Sequence, residues 1–255
     1  MELHFAAYGQ GEPLILLHGL LGSLDNFHSV SLKLSAQLKV FALDLRNHGR
    51  SPHSSEMDYT LMAQDVRSFL ERQGVPDALV LGHSMGGKVA MQLALLYQES
   101  VRKLIVADIA PHRYPPRHQK ILTGMASLDL GHLQTRKEME AALAPAVPDL
   151  GTRQFLLKNV VREGLGAFHW RIGLKEIIQN YLPLTEAVTS DRAFHKPTMF
   201  LRGEISDYLV PEDMHSIRRL FPEARLETIP GAGHLLHTEN PARFVKSVQD
   251  FLLNS

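Results

Sequence analysis

LVLGHSMGGKVA, Leu79 to Ala90, passes from an apolar, β-favouring run to small and apolar residues at helical spacing, with Ser84 between glycines at the corner. Glycines at 82 and 86 let a strand reverse into a helix without Cβ clashes, and the reversal forces the serine into a strained, exposed place at the helix N-terminus. A hydroxyl so presented is a candidate nucleophile. The amide of Met85 and the helix dipole then favour negative charge beside Ser84 Oγ. Gly-x-Ser-x-Gly also occurs in ordinary turns, so the strand before it and the helix after it carry the reading.

Outward from this corner, short β-rich runs alternate with amphipathic helical segments. Residues 13–19, 39–45, 78–84, 101–109, 197–204 and 224–231 each read as a strand, and most are apolar throughout. Continuous apolar character marks strands covered on both faces, hence a mainly parallel sheet. Between them, Met62, Val66, Phe69 and Leu70 share one helical face, which stops at Gly74 before Pro76. Near the end of the chain Asn240 can cap a helix with Pro241 at its first position. Phe244, Val245, Val248, Phe251 and Leu252 form its apolar stripe. The expected fold is an α/β sheet with helices on both faces and right-handed crossovers.

The alternation breaks between Pro111 and Lys196, where the pattern is helical and no convincing strand occurs. The expected organisation is therefore a core of residues 1–110 and 197–255 with a helical lid, 111–196, over the C-terminal edge of the sheet, where open α/β sheets bind ligands. A helical subdomain without a gating role is the simpler alternative. Phe155, Leu156, Phe168, Trp170 and Tyr181 are large apolar residues of this segment, expected either to face the site or to pack among its own helices.

Composition narrows the chemistry. The 255 residues carry 27 Lys+Arg and 27 Asp+Glu, so no net field draws the chain to nucleic acid or anionic membranes. With no cysteine, disulfide scaffolds, thiolate zinc sites and cysteine nucleophiles are excluded. No apolar run approaches the ~18 residues of a membrane span, and the N-terminus lacks the pattern of a secretory signal. A cytoplasmic location is the expectation. Fourteen histidines do not include an H-E-x-x-H pattern, so no metal is expected.

A serine hydroxyl needs a base, and His234 in the glycine-rich segment IPGAGHLLH can swing over the sheet edge after the last strand. His237 is its nearest competitor but falls at the approach to the helix; His83, beside the nucleophile, reads as structural. A second oxyanion donor is expected from the loop after the first apolar strand, where the Leu20 amide is the candidate. Two aspartates offer the acid. Asp108 ends one strand in VADIAP, and Asp207 follows the next one in LRGEISDYLVP. Asp44, Arg46, His48 and Arg50 read as structural groups of a turn.

HGLLGSLDNF, LDLRNHGRSP, GHSMGGKVA, VADIAP, RQFLLKN and GAGHLLH together resemble the α/β-hydrolase superfamily, and within it the small bacterial acyl esterases of the YbfF type. The resemblance runs from about Leu14 to the last helix. It implies hydrolysis of small-molecule short-chain esters or acyl thioesters by a Ser-His-acid triad without a cofactor. It also tilts the acid towards Asp108, because such relatives tend to have an uncharged residue where this chain has Asp207. Dehalogenases and epoxide hydrolases of this fold would carry aspartate in place of Ser84. Carbon–carbon bond hydrolases and cofactor-free haloperoxidases share the triad, and a non-catalytic binder would usually lack Ser84 or His234.

Overall fold

A computed structural model describes residues 1–253 apart from 163 and 165. Seven strands form the central sheet: β1 (Phe5–Tyr8), β2 (Glu12–Leu17), β3 (Leu38–Leu43), β4 (Ala78–His83), β5 (Val101–Ala107), β8 (Thr198–Gly203) and β9 (Ala224–Ile229), in the order β1-β3-β2-β4-β5-β8-β9. Only β1 runs antiparallel to its neighbour. The six expected strands are all present, shifted by a residue or two at their ends. β1 was not expected: it lies at the sheet edge, and its FAAY sequence is never fully buried, so it lacks an apolar run.

Alternation along the central strands divides the core in two. Ile15, Leu17, Val80, Leu104 and Val106 pack to one face, while Leu14, Leu16, Leu79, Leu81 and Ile105 pack to the other. The first face is covered by α2 (Tyr59–Arg72), α3 (Met85–Leu96) and α8 (Met214–Leu220), the second by α1 (His28–Leu34), the short α9 (Leu236–Glu239) and α10 (Pro241–Leu253). The expected stripes on α2 and α10 are buried in full. Each such Leu or Phe contributes roughly 1.5–3 kcal/mol by leaving water. Asp58 caps α2 by accepting from the Leu61 amide at 2.7 Å, and Gly74, in the left-handed region at φ 65°, ends it.

The stretch between β5 and β8 holds α4 (Gln119–Ala126), α5 (Arg136–Leu143), α6 (Leu150–Leu157) and α7 (Leu174–Gln179). It also holds a hairpin of β6 (Val160–Arg162) and β7 (Phe168–Trp170), which corrects the expectation that this segment is purely helical. Three-residue strands are too short for their alternation to be read; pairing across the hairpin makes them. Among the described residues no helix is long and apolar enough to cross a membrane.

Two buried histidines hold the loops at the C-terminal edge of β2 and β3. His18 Nε2 accepts from the Leu45 amide at 3.0 Å and its Nδ1 donates to Gly19 O at 2.8 Å. His48 Nε2 accepts from the Leu21 amide at 3.0 Å and its Nδ1 donates to Arg46 O at 2.9 Å. Asp44 accepts from the amides of Leu24 and Arg50 at 2.7 and 2.8 Å, the structural role expected of it. Burial, the larger influence in both, lowers His18 to about 4 and His48 to about 3, and the neighbouring His18 lowers His48 further. Each ring can accept an amide proton only while neutral.

This has a consequence for stability in acid. Below the ordinary histidine value of 6.5 the unfolded chain binds protons that the folded chain refuses, so stability falls as pH drops from about 6.5 towards 4. Urea midpoints measured between pH 7.5 and 5 should decline steadily, with most carboxylates still ionised. A flat profile over that interval would contradict the neutral, amide-accepting rings.

Candidate active site

Ser84 sits alone between β4 and α3 with φ 53° and ψ −119°, a strained backbone for a residue with a side chain. The glycines on either side permit it by close approach. A Cβ at Gly82 would lie 2.1 Å from Gly86 O, and one at Gly86 would lie 2.3 Å from Leu17 O. Helix α3 therefore packs directly on the ends of β2 and β4, and the serine is pushed out at the corner.

The loop after β9 brings His234 to that corner. Its Nε2 lies 3.0 Å from Ser84 Oγ, and its Nδ1 lies 2.8 Å from Asp108 Oδ2. With Nδ1–H donating to the carboxylate, Nε2 is left to accept the serine proton. Asp108 follows β5 with φ 52° and is fully buried. Its Oδ1 accepts from the Gly203 amide at 2.9 Å and its Oδ2 also accepts from Ser206 Oγ, so the carboxylate is held by donors on both oxygens. The Tyr208 ring stacks on the imidazole with centroids 3.8 Å apart and planes 21° apart.

Asp207, the other candidate acid, is not brought to His234. Its side chain is 75% exposed and pairs with Arg117 at 2.8 Å. Its neighbour Ser206 turns inward to Asp108 instead, and that leaves the next side chain outside. His83 and His237 lie beneath the site. His83 Nε2 donates to His234 O at 2.8 Å, fastening the loop after β9, and burial with the nearby His234 and His237 holds it well below its ordinary value. His237 packs on Phe27, and burial lowers it to about 4. Neither makes a hydrogen bond to Ser84.

The loop after β2 runs against the serine: a Cβ on Gly19 would touch His83 Nδ1 at 3.1 Å and Ser84 Cβ at 3.4 Å. Beyond it, Leu21 is pinned at φ 60° by His48 on its amide and by Asn159 Nδ2 on its carbonyl at 2.7 Å. The Leu20 and Met85 amides donate to no protein acceptor among the described residues, and both residues line the cleft that Ser84 faces. Sequence reasoning did not find the brace by His48 or the stack of Tyr208. NHG and DYL are too common to signal either.

That cleft is bounded on its far side by Tyr114, Pro115, Arg117, His118, Tyr181 and Leu184 of the insertion. Of the five large apolar residues expected to face the site or pack internally, only Tyr181 lines the cleft. Leu156 is buried, and Phe168 and Trp170 pack against the core. Phe155 borders a second, polar hollow with Lys158 and Arg171. Among the described residues no three His, Cys, Asp or Glu side chains gather as a metal would require.

Comparison with known proteins agrees with this architecture. The family model for the alpha/beta hydrolase fold matches residues 12–241. The mouse protein named sn-1-specific diacylglycerol lipase ABHD11 is 37% identical, over 94% of this chain and 80% of its own. Esterase YbfF of Escherichia coli is 34% identical over 94% of this chain and 92% of its own. A solved structure described as a marine microorganism esterase superposes with a TM-score of 0.96 at 42% identity, covering 98% of this chain and 99% of that one. A match over nearly the whole chain makes this protein a hydrolase that belongs to the α/β-hydrolase family.

Proposed function

We propose that the chain cleaves short- to medium-chain carboxylic esters or acyl thioesters through an acyl-enzyme on Ser84. The observation that carries this reading is the hydrogen-bonded line from Ser84 Oγ through His234 to the buried carboxylate of Asp108. Ser84 attacks the carbonyl carbon as His234 Nε2 takes its proton. The amides of Leu20 and Met85 hold the oxyanion, and each such donor is worth roughly 3–4 kcal/mol of the barrier. His234 then protonates the leaving alkoxide or thiolate. Water activated by the same nitrogen releases the acid and restores the serine. Asp108 keeps the ring in the useful tautomer and stabilises its charged form. The names of the esterase and lipase relatives support an ester substrate.

In this reading residues 111–196 form a lid on the core of 1–110 and 197–255. Its Tyr114, Tyr181 and Leu184 close one side of a cleft that is modest for a large lipid. Stacking by Tyr208 and the tie from His83 keep His234 over the serine.

Three variants test the roles. Ser84→Ala should fold normally and lose nearly all hydrolysis of p-nitrophenyl butyrate, along with labelling by a fluorophosphonate; a tenth of the normal rate surviving would refute the serine mechanism. Asp108→Asn should slow turnover by up to ~10⁴, the scale seen when an amide replaces the acid of such a triad. Asp207→Asn should keep most of the activity, and the reverse pattern would move the role to Asp207.

Chain-length dependence tests the cleft. Rates on p-nitrophenyl esters should peak between two and eight acyl carbons, and Tyr181→Ala should shift the optimum to longer chains. A preference for micellar long-chain triglyceride would show the size limit to be wrong.

A further inference from the structure

The hydrolytic steps proposed for Ser84 and His234 leave a buried cation of the same cleft without a task. Lys88 lies one helical turn past Ser84 on α3 and is 1% exposed, yet among the described residues no carboxylate pairs with it. Its Nζ donates to His112 O at 2.9 Å and to Glu186 O at 2.5 Å. The ring centroids of Tyr59 and Tyr114 lie 5.5 and 5.0 Å from the ammonium.

The two carbonyls come from opposite ends of the insertion. His112 stands where the chain leaves β5, and Glu186 where it returns towards β8. The two stems also meet directly, through the Val188 amide to Pro111 O at 2.7 Å and the Tyr114 amide to Thr185 O at 2.9 Å. Tyr59 of α2 donates to Leu184 O at 2.5 Å. From this knot a path leads to the reacting groups: Tyr114 Oη donates to Tyr208 O, and the Tyr208 ring stacks on His234.

We propose that Lys88 is a positioning residue for hydrolysis: its ammonium clasps both stems of the insertion to the nucleophile helix and, through Tyr114 and Tyr208, sets the plane of His234. The inference rests on the serine-hydrolase reading. An ammonium suits the place because it has several donors on one atom and is attracted to aromatic faces. Burial, opposed by Glu186, lowers Lys88 to about 8, so the charged form persists at neutral pH. A neutral apolar side chain would fill the volume but leave two part-buried carbonyls without the ammonium donor.

Lys88→Ala would open a cage of two carbonyls and two rings, a receptor for a small alkylammonium. The variant should lose at least tenfold in kcat on p-nitrophenyl butyrate with a smaller change in KM, and propylammonium should restore a large part of it. Propanol and tetramethylammonium, lacking the charge or the N–H donors, should not. Hydrogen exchange reads the clasp without turnover: the Tyr114 and Val188 amides should exchange slowly in the unaltered protein, at least tenfold faster in Lys88→Ala, and slowly again with propylammonium. Loop-like exchange of these amides in the unaltered protein would overturn the proposal with no variant needed. So would a normal kcat in Lys88→Ala or in the volume-conserving Lys88→Met. If Lys88→Ala folds only with propylammonium present, the clasp is supported. Activity retained by Ser84→Ala would instead sink the serine reading and leave the exchange result standing.

Discussion

Everything at the site depends on one close contact, the approach of Gly86 to the backbone at the end of β2 and of Gly82 to Gly86. Without Cβ atoms, helix α3 can begin directly at the sheet edge, and the chain can reverse within one residue. Ser84 absorbs the reversal in a backbone conformation that costs of order 1–3 kcal/mol. The surrounding sheet is buried on both faces and over-determines that conformation. Any looser turn would lower the hydroxyl into the core or move it off the line to His234.

The same economy recurs at the neighbouring strand ends. Leu21, Ser84 and Asp108 all have positive φ, one each after β2, β4 and β5. Sharp exits from β4 and β5 bring a hydroxyl and a carboxylate to one imidazole without long loops. Their surroundings then satisfy the polar groups so produced. The Gly203 amide and the Ser206 hydroxyl hold Asp108, and His48 and Asn159 hold Leu21. An imidazole with one partner on each nitrogen has little freedom left, and His83 fixes the loop that carries it.

The insertion is joined to this frame by polar contacts as well as apolar ones. Asn159 reaches the loop after β2, the Gly173 amide donates to Asn47 O at 2.9 Å, and the stems gather about Lys88. The wall of the cleft is thereby tied to α3, the helix that begins at Ser84. The wall of the cleft and the ring of His234 thus share a common set of supports.

Much of this was legible in the amino-acid sequence because it rests on local physics. Apolar runs set the six central strands, the stripes of α2 and α10 follow helical periodicity, and glycines flanking a serine mark the corner. Loop glycines before the last helix likewise marked His234. What the sequence left open needed contacts between distant residues. Asp108 and Asp207 both follow adjacent strands, and only the inward turn of Ser206 separates the buried carboxylate from the exposed one. β1 and the β6–β7 hairpin are too short or too exposed to carry a pattern of their own, so pairing across the fold creates them. Lys88 reads in sequence as an ordinary helix lysine. Its meaning comes from two carbonyls 24 and 98 residues away, which only the folded chain brings to one ammonium.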